Sequence, residues 1–131
     1  MNDSEQISEF KSKSGVKRIF AAFFYSLHGF QAAWRNEHAF RQELLLVVPA
    51  SVLALFLPVP ALHRLALIGV LVLVLIVELI NSAIEAVVDR ISFERHPLSK
   101  NAKDLGSAAV MLALCLAVAT WGVVLWPVVR G

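Results

Sequence analysis

The sequence contains little of what many enzyme classes depend on. Its single cysteine, Cys115, cannot form a disulfide within the chain. There is no GxxxxGK(S/T) loop, protein-kinase signature, CxxC pair or HExxH motif, and the four histidines lack the spacing of metal ligands. The common nucleotide-loop, dithiol and zinc-hydrolase classes are therefore excluded.

Charged residues are also scarce, at 17% of the 131 residues, whereas hydrophobic residues make up 58% and the mean hydropathy is +0.70. Such a chain is too apolar for a soluble domain and too short for more than one compact unit. Residues 1–14 are predicted to form a polar tail and residues 15–131 a single domain. The net charge of +2 does not indicate nucleic-acid binding, because the basic residues are dispersed along the chain.

Three apolar segments predict membrane-spanning helices, at about residues 44–62, 65–88 and 104–129. Pro58 and Pro60 are expected to end the first of them in a short turn, and Pro97 disfavours a continuous helix between the second and the third. The predicted fold class is therefore all-α and integral to a membrane.

A further helix is predicted at about residues 16–35, where large apolar side chains recur at spacings of three and four and basic or polar residues fill much of the remaining circumference. Its apolar members are Phe20, Phe23, Phe24, Leu27, Phe30 and Trp34. This composition is typical of an amphipathic helix lying on a membrane surface. A helix packed on a protein core remains the alternative.

The second span acquires a polar stripe without losing its helical pattern. Glu78, Asn81, Ser82, Glu85 and Asp89 lie within about 100° of one another on a helical wheel. Acidic groups at membrane depth cost several kcal/mol or more unless they are paired, so they are candidates for function. Gly106 and residues 108–109, both alanine, are expected to permit close packing of the third span against the other helices.

The basic residues predict the orientation of the helices in the membrane. Six Lys and Arg residues precede Glu43, four lie between Arg90 and Lys103, and only Arg64 and Arg130 fall on the other side. The amino terminus and the second loop are therefore predicted to be cytoplasmic and the carboxyl terminus external. The carboxylates belong to the cytoplasmic side, so any chemistry is expected to use a cytosolic reagent.

Several carboxylates and a lysine close to a membrane surface suit Mg²⁺ that holds phosphate oxygens, with the lysine neutralising further charge. On the residues alone, a buried ion-pair network that fixes the register of the helices is an alternative.

Three segments, AAWRNEHAFRQE, VELINSAIEAVVDRIS and ERHPLSKNAKDLGSAAV, closely resemble the small bacterial integral-membrane diacylglycerol kinases, in the same order. The resemblance implies a homotrimer in the bacterial inner membrane, with active sites shared between subunits. It also implies transfer of phosphate from MgATP to the primary hydroxyl of diacylglycerol, which yields phosphatidic acid.

The resemblance also implies roles for individual residues. Glu78 corresponds to the catalytic base, and Glu37 and Glu85 to the carboxylates that hold Mg²⁺. The positions implied around ATP are Arg18, Tyr25, Glu37, Glu85, Glu94, Arg95, His96, Lys103 and Asp104. Those implied for the lipid substrate are Arg18, Trp34, Phe40, Arg41, Glu43, Glu78 and Ser107, with Asn81 and Asp89 in supporting positions.

Other functions remain open at this point. An undecaprenol kinase would use the same phosphate chemistry with a differently shaped lipid groove. A proton or cation transporter could also place Glu78 and Glu85 in a membrane helix. A membrane assembly subunit without enzymatic activity would tolerate loss of the Glu78 carboxylate. The surface helix also departs from some relatives, which carry a basic residue where this chain has Ala21 and small residues in place of Phe23 and Phe24.

Overall fold

A computed structural model describes residues 15–131 as four α-helices, with no strand in that range. They are α1 (Gly15–Asn36), α2 (His38–Phe56), α3 (Ala61–Ile91) and α4 (Pro97–Arg130). The prediction of an all-α fold is thus confirmed. The polar tail predicted at residues 1–14 lies outside the described residues.

The helices belong to two compact units. α1 belongs to the first, and α2 to α4, with their connections, form the second from Glu37 to Gly131. The single domain predicted over residues 15–131 stays a prediction.

The amphipathic segment predicted at residues 16–35 is the helix α1. Its large apolar side chains are exposed, with Phe20 63% and Phe30 50% accessible. The neighbouring rings of Phe23 and Phe24 pack edge to face, with their centroids 5.9 Å apart. A location of α1 on the membrane surface stays a prediction.

Each of the helices α2, α3 and α4 is long and apolar enough to cross a membrane. α3 has 31 residues and α4 has 34, so they extend over about 46 and 51 Å at 1.5 Å per residue. A hydrocarbon core is only about 30 Å thick, so both helices are long enough to extend beyond it. The predicted number of spans is confirmed.

The bounds of the first two helices differ from the predicted spans. α2 covers His38–Phe56 rather than 44–62. It ends at Phe56 because Pro58 and Pro60 lack an amide N–H and favour extended backbone in the residue before each of them. Leu57 is accordingly extended, at φ −72° and ψ 142°. α3 begins directly after Pro60 and covers Ala61–Ile91 rather than 65–88.

The third predicted span, 104–129, forms the greater part of α4, which begins earlier, at Pro97. Proline is favourable at this position because the first turn of a helix offers its amide groups no intrahelical partner. His96 caps the helix, since its ring accepts a hydrogen bond from the amide of Leu98. The predicted break before α4 is therefore present, whereas Pro49 lies inside α2 without ending it.

The turn between α2 and α3 is held by Arg64. Its guanidinium group donates hydrogen bonds to the carbonyl oxygens of Ala54, Leu57 and Val59, at distances of 3.1, 3.0 and 3.3 Å. These carbonyls lie at the end of α2 or just after it, where the helix itself offers them no donor.

The three long helices pack with α3 in contact with both α2 and α4. Val74 of α3 packs against Ala113 and Ala117 of α4, whose small side chains allow the two helices to approach closely. Nearer the start of α3, the indole N–H of Trp121 in α4 donates a hydrogen bond to the carbonyl oxygen of Leu67, at 3.1 Å. This packing fixes the rotation of α3 and hence the direction of its polar stripe.

Candidate active site

The polar stripe of α3 faces the interior of the second unit. Glu78 is only 5% exposed and Asn81 only 8%, although both side chains are polar. Glu85 and Asp89, one and two turns closer to the end of the helix than Asn81, are partly buried. The helical period therefore predicted correctly that these four residues share a face.

Glu43 in the second turn of α2 is the direct partner of Glu78. The two carboxyl groups are close enough to each other for a hydrogen bond to form between them. The Oε2 atom of Glu43 is buried and has no hydrogen-bond partner among the described residues. The charges of Glu37, which caps α2, and of Glu85 also act on Glu78. Four carboxyl groups from two helices thus gather at one end of the second unit.

Asn81 links the buried and the accessible parts of this cluster. Its Nδ2 donates a hydrogen bond to Oε1 of Glu85, at 3.3 Å. Its Oδ1 and the hydroxyl group of Ser82 are buried without a hydrogen-bond partner among residues 15–131. The amide of Asn81 therefore orients the Glu85 carboxylate.

Positive charge comes from the first turns of α4. Nζ of Lys103 lies 2.8 Å from Oδ1 of Asp89, and this ion pair connects α4 to α3. Both side chains remain about two-fifths exposed, so the ammonium group is accessible to a ligand. Lys100 pairs with Asp104 one turn further along α4, where both side chains are mostly exposed.

An open pocket of about 730 Å³ lies beside this ion pair, between the end of α3 and the start of α4. The hydroxyl group of Ser92 shapes its loop by accepting a hydrogen bond from the amide of Glu94, at 3.0 Å. Six predicted site residues line the pocket, namely Asp89, Glu94, Arg95, His96, Lys103 and Asp104. Ser92, Ser99 and Lys100 also line the pocket but were not among the predicted site residues. The spacing of four residues between Lys100 and Asp104 is typical of an ion pair along a helix and could have indicated Lys100.

The residues predicted to receive the lipid have mixed positions. Phe40 is 2% exposed, and the guanidinium group of Arg41 lies 2.7 Å from the ring nitrogen Nδ1 of His38. Ser107 is exposed. Glu43 stands at the edge of a pocket of about 210 Å³ whose other lining residues are Leu46, Val47, Ala50, Leu71, Val74, Leu114, Ala117, Val118 and Trp121. Arg18, Tyr25 and Trp34 belong to α1, and their part in the site stays a prediction.

Among residues 15–131, no group of three or more His, Cys, Asp or Glu side chains is arranged to hold a metal ion by itself. Mg²⁺ is usually bound in such enzymes through one or two carboxylates together with phosphates and water. The hard oxygen donors of Glu37 and Glu85, both partly buried at the same end of the unit, fit that pattern. They would serve as ligands only together with a phosphate-bearing molecule.

The fold and the site define an integral membrane protein with three spans, a buried carboxylate cluster at one end and a lysine-bearing pocket beside it. Residues 24–125 match the family described as prokaryotic diacylglycerol kinase, and the chain belongs to that family. The resemblance found in the sequence is thus confirmed.

Similar proteins come from several bacteria. A diacylglycerol kinase of Pseudomonas aeruginosa is 56% identical over 118 residues, which cover 90% of this chain and 96% of the relative. The diacylglycerol kinase of Escherichia coli K12 is 55% identical over 113 residues, covering 86% and 93%. That of Haemophilus influenzae is 42% identical over 113 residues, covering 86% and 96%.

Proposed function

We propose that this chain is a lipid kinase that transfers the γ-phosphoryl group of ATP to the primary hydroxyl of diacylglycerol and releases phosphatidic acid and ADP. The observation that carries this proposal is Glu78, which is buried close to the carboxyl group of Glu43 in a chain that belongs to the diacylglycerol kinase family. A carboxylate at this depth in an apolar helix meets a lipid hydroxyl where water is scarce, so it suits a general base for a membrane substrate.

Glu78 accepts the proton of the lipid hydroxyl while the hydroxyl oxygen forms a bond to the γ-phosphorus. The bond from that phosphorus to the oxygen bridging the β- and γ-phosphates breaks, and ADP leaves. Glu43, whose carboxyl group lies within reach of a hydrogen bond, would hold the Glu78 carboxyl group in place. When bound, Mg²⁺ would neutralise charge on the phosphates.

The nucleotide is proposed to occupy the 730 Å³ pocket. Its phosphates would reach Lys103, whose ammonium group is accessible beside Asp89. Glu37 and Glu85 are proposed to hold Mg²⁺ together with those phosphates. Arg18, Tyr25, Glu94, Arg95, His96 and Asp104 are proposed as further contacts of ATP.

The lipid is proposed to reach Glu78 past Glu43, whose side chain touches both the base and the apolar pocket. Trp34, Phe40, Arg41 and Ser107, together with Arg18, are proposed to contact it. The substrate hydroxyl would then arrive next to Glu78 while the acyl chains remain in apolar surroundings.

A homotrimer with shared active sites in the inner membrane is part of the proposal, with the amino terminus cytoplasmic and the carboxyl terminus external. Three helices leave many large apolar side chains exposed, among them Phe56, Leu112 and Val123. Lipid and neighbouring subunits would cover them. The mass of the complex in a mild detergent tests the trimer, and labelling of cysteines introduced at either terminus tests the orientation.

The experiment that tests the function measures transfer of labelled γ-phosphate from MgATP by purified protein in bilayers. Diacylglycerol and undecaprenol are offered separately to the wild type, to Glu78→Gln and to Glu9→Gln, which makes the same change in the predicted tail. We expect phosphorylation of diacylglycerol by the wild type and by Glu9→Gln only. Preference for undecaprenol would change the substrate, and transfer to neither lipid would contradict a lipid kinase.

A further inference from the structure

Gly106, in the third turn of α4, is the glycine that lies closest to another side chain. A Cβ atom added there would overlap Oδ1 of Asn81 and lie 3.0 Å from its Cγ. At each of the other five glycines, a Cβ atom would meet no heavy atom within 4 Å among the residues that the structure describes, apart from the neighbouring backbone. The absence of a side chain is therefore used for packing at Gly106.

The group that fills this space is the amide of Asn81, which is 8% exposed. Its Nδ2 donates to the Glu85 carboxylate at 3.3 Å, which is already a long hydrogen bond, and its Oδ1 points at Gly106. Because Cγ as well as Oδ1 is close to the added Cβ position, a methyl group there would displace the whole amide. Because the hydrogen bond to Glu85 is already 3.3 Å long, we expect such a displacement to weaken or break it.

We propose that Gly106 is a positioning residue of the phosphoryl-transfer site, because it leaves the space in which Asn81 holds the Glu85 carboxylate. This inference rests on the proposed function, in which Glu85 binds Mg²⁺ together with the nucleotide. Gly106 acts on the metal through two contacts, first with Asn81 and then from Asn81 to Glu85. It touches neither the substrate nor the reacting atoms.

The effect of a methyl group at this position follows from the role of Asn81 behind the metal ligand. Loss of a hydrogen bond that orients a metal ligand commonly lowers metal affinity about 10- to 100-fold. Gly106→Ala is therefore expected to weaken binding of a divalent cation with nucleotide about 10-fold. Gly122→Ala is the matched control, because Gly122 lies in the same helix and faces open space.

The first measurement is binding of Mn²⁺ in the presence of a non-hydrolysable ATP analogue, followed by electron paramagnetic resonance on purified protein in bilayers. We expect wild-type affinity in Gly122→Ala and about 10-fold weaker affinity in Gly106→Ala. Wild-type affinity in Gly106→Ala overturns the inference. Phosphate transfer to diacylglycerol by the wild type is measured in parallel, so that a failure of the proposed function is recognised separately.

The second measurement separates positioning from a general disturbance of helix packing. In Asn81→Ala the amide is already gone, so adding Gly106→Ala should cost no further Mn²⁺ affinity. A further loss in that background would show that Gly106 acts by another route and overturns the inference. Should Gly106→Ala fail to fold, the Mn²⁺ affinity of Asn81→Ala decides. An unchanged affinity in that variant contradicts the proposed sequence of contacts from Gly106 through Asn81 to Glu85.

Discussion

Glu43 of α2 and Glu78 of α3 place their carboxyl groups within reach of a hydrogen bond to each other. An ionised carboxylate can only accept hydrogen bonds, so a hydrogen bond between the two groups requires a proton on one of them. The proposed base must be the ionised member in order to take a proton from the lipid. Under the proposed function Glu43 would therefore carry that proton, and its O–H would orient the Glu78 carboxylate.

Replacing Glu43 should show whether a hydrogen bond from this position orients Glu78. In Glu43→Gln the amide N–H can still donate to Glu78, whereas Glu43→Leu leaves the buried carboxylate without this donor. A hydrogen bond to a charged group contributes about 1.5–3 kcal/mol, or about 10- to 100-fold in rate. We expect kcat to fall by that factor in Glu43→Leu and much less in Glu43→Gln, with the KM for ATP unchanged in both. Equal losses in the two variants would contradict a positioning role.

The ion pair between Lys103 and Asp89 should matter more for nucleotide binding than for stability. Its members are 43% and 42% exposed, and exposed ion pairs contribute at most about 1 kcal/mol. We therefore expect Lys103→Met to raise the KM for ATP about 10-fold or more, with a change of about 1 kcal/mol or less in the free energy of unfolding.

Asp89→Asn provides the control, because it breaks the same ion pair and keeps the lysine charge. Its KM for ATP should rise less than that of Lys103→Met, as measured from initial rates across ATP concentrations. A larger effect of Asp89→Asn would assign nucleotide binding to the aspartate side of the pair instead.

The number and type of the helices were predictable because long apolar stretches and helical periodicity are local properties of the sequence. Their bounds were less so. The start of α4 carries Lys100, Lys103 and Asp104, so its composition resembles a loop although it is helical. Hydropathy indicates where a helix can contact lipid, and a helix continues beyond that segment wherever its backbone hydrogen bonds are satisfied.

The candidate site was predictable on the same terms. The stripe from Glu78 to Asp89 follows from the period of one helix. The contacts of Glu43 with Glu78 and of Gly106 with Asn81 depend on how two helices are rotated and shifted against each other, which no single segment encodes. The sequence therefore indicated which residues are polar at membrane depth, whereas their partners required the packed structure.

Removing one carboxylate from the cluster should have opposite effects on stability and on metal binding. Glu37 and Glu85 are both close enough to Glu78 for their charges to act on it. Glu85→Gln removes one negative charge from this group, so we expect the protein to be as stable as the wild type or more stable. Under the proposed function the same change removes a ligand of Mg²⁺.

Two measurements check this expectation, namely thermal unfolding in detergent without Mg²⁺ and the Mg²⁺ concentration for half-maximal phosphate transfer. The transition should stay or rise, and the Mg²⁺ requirement should increase about 10-fold or more. Chelation of Mg²⁺ should stop transfer by the wild type altogether. A Glu85→Gln variant that unfolds at lower temperature and keeps its Mg²⁺ requirement would show a structural role for this carboxylate.

The turn held by Arg64 should affect stability without affecting the chemistry. Arg64→Met removes all three donors that serve the carbonyls of Ala54, Leu57 and Val59. The Leu57 carbonyl keeps its hydrogen bond from the amide of Val59, at 2.9 Å, so the loss falls on the other two acceptors. Leaving a partly buried acceptor without a partner costs about 1–3 kcal/mol. Arg130→Met is the matched control, because Arg130 is predicted to lie on the same side of the membrane as Arg64. The guanidinium carbon of Arg130 is 5.9 Å from the centroid of the Trp126 ring, and such a contact contributes about 0.5–1 kcal/mol. Unfolding in detergent should be clearly easier for Arg64→Met than for Arg130→Met, while both keep the wild-type kcat per folded protein. A large loss of kcat in folded Arg64→Met would instead link this turn to the site at the other end of α3.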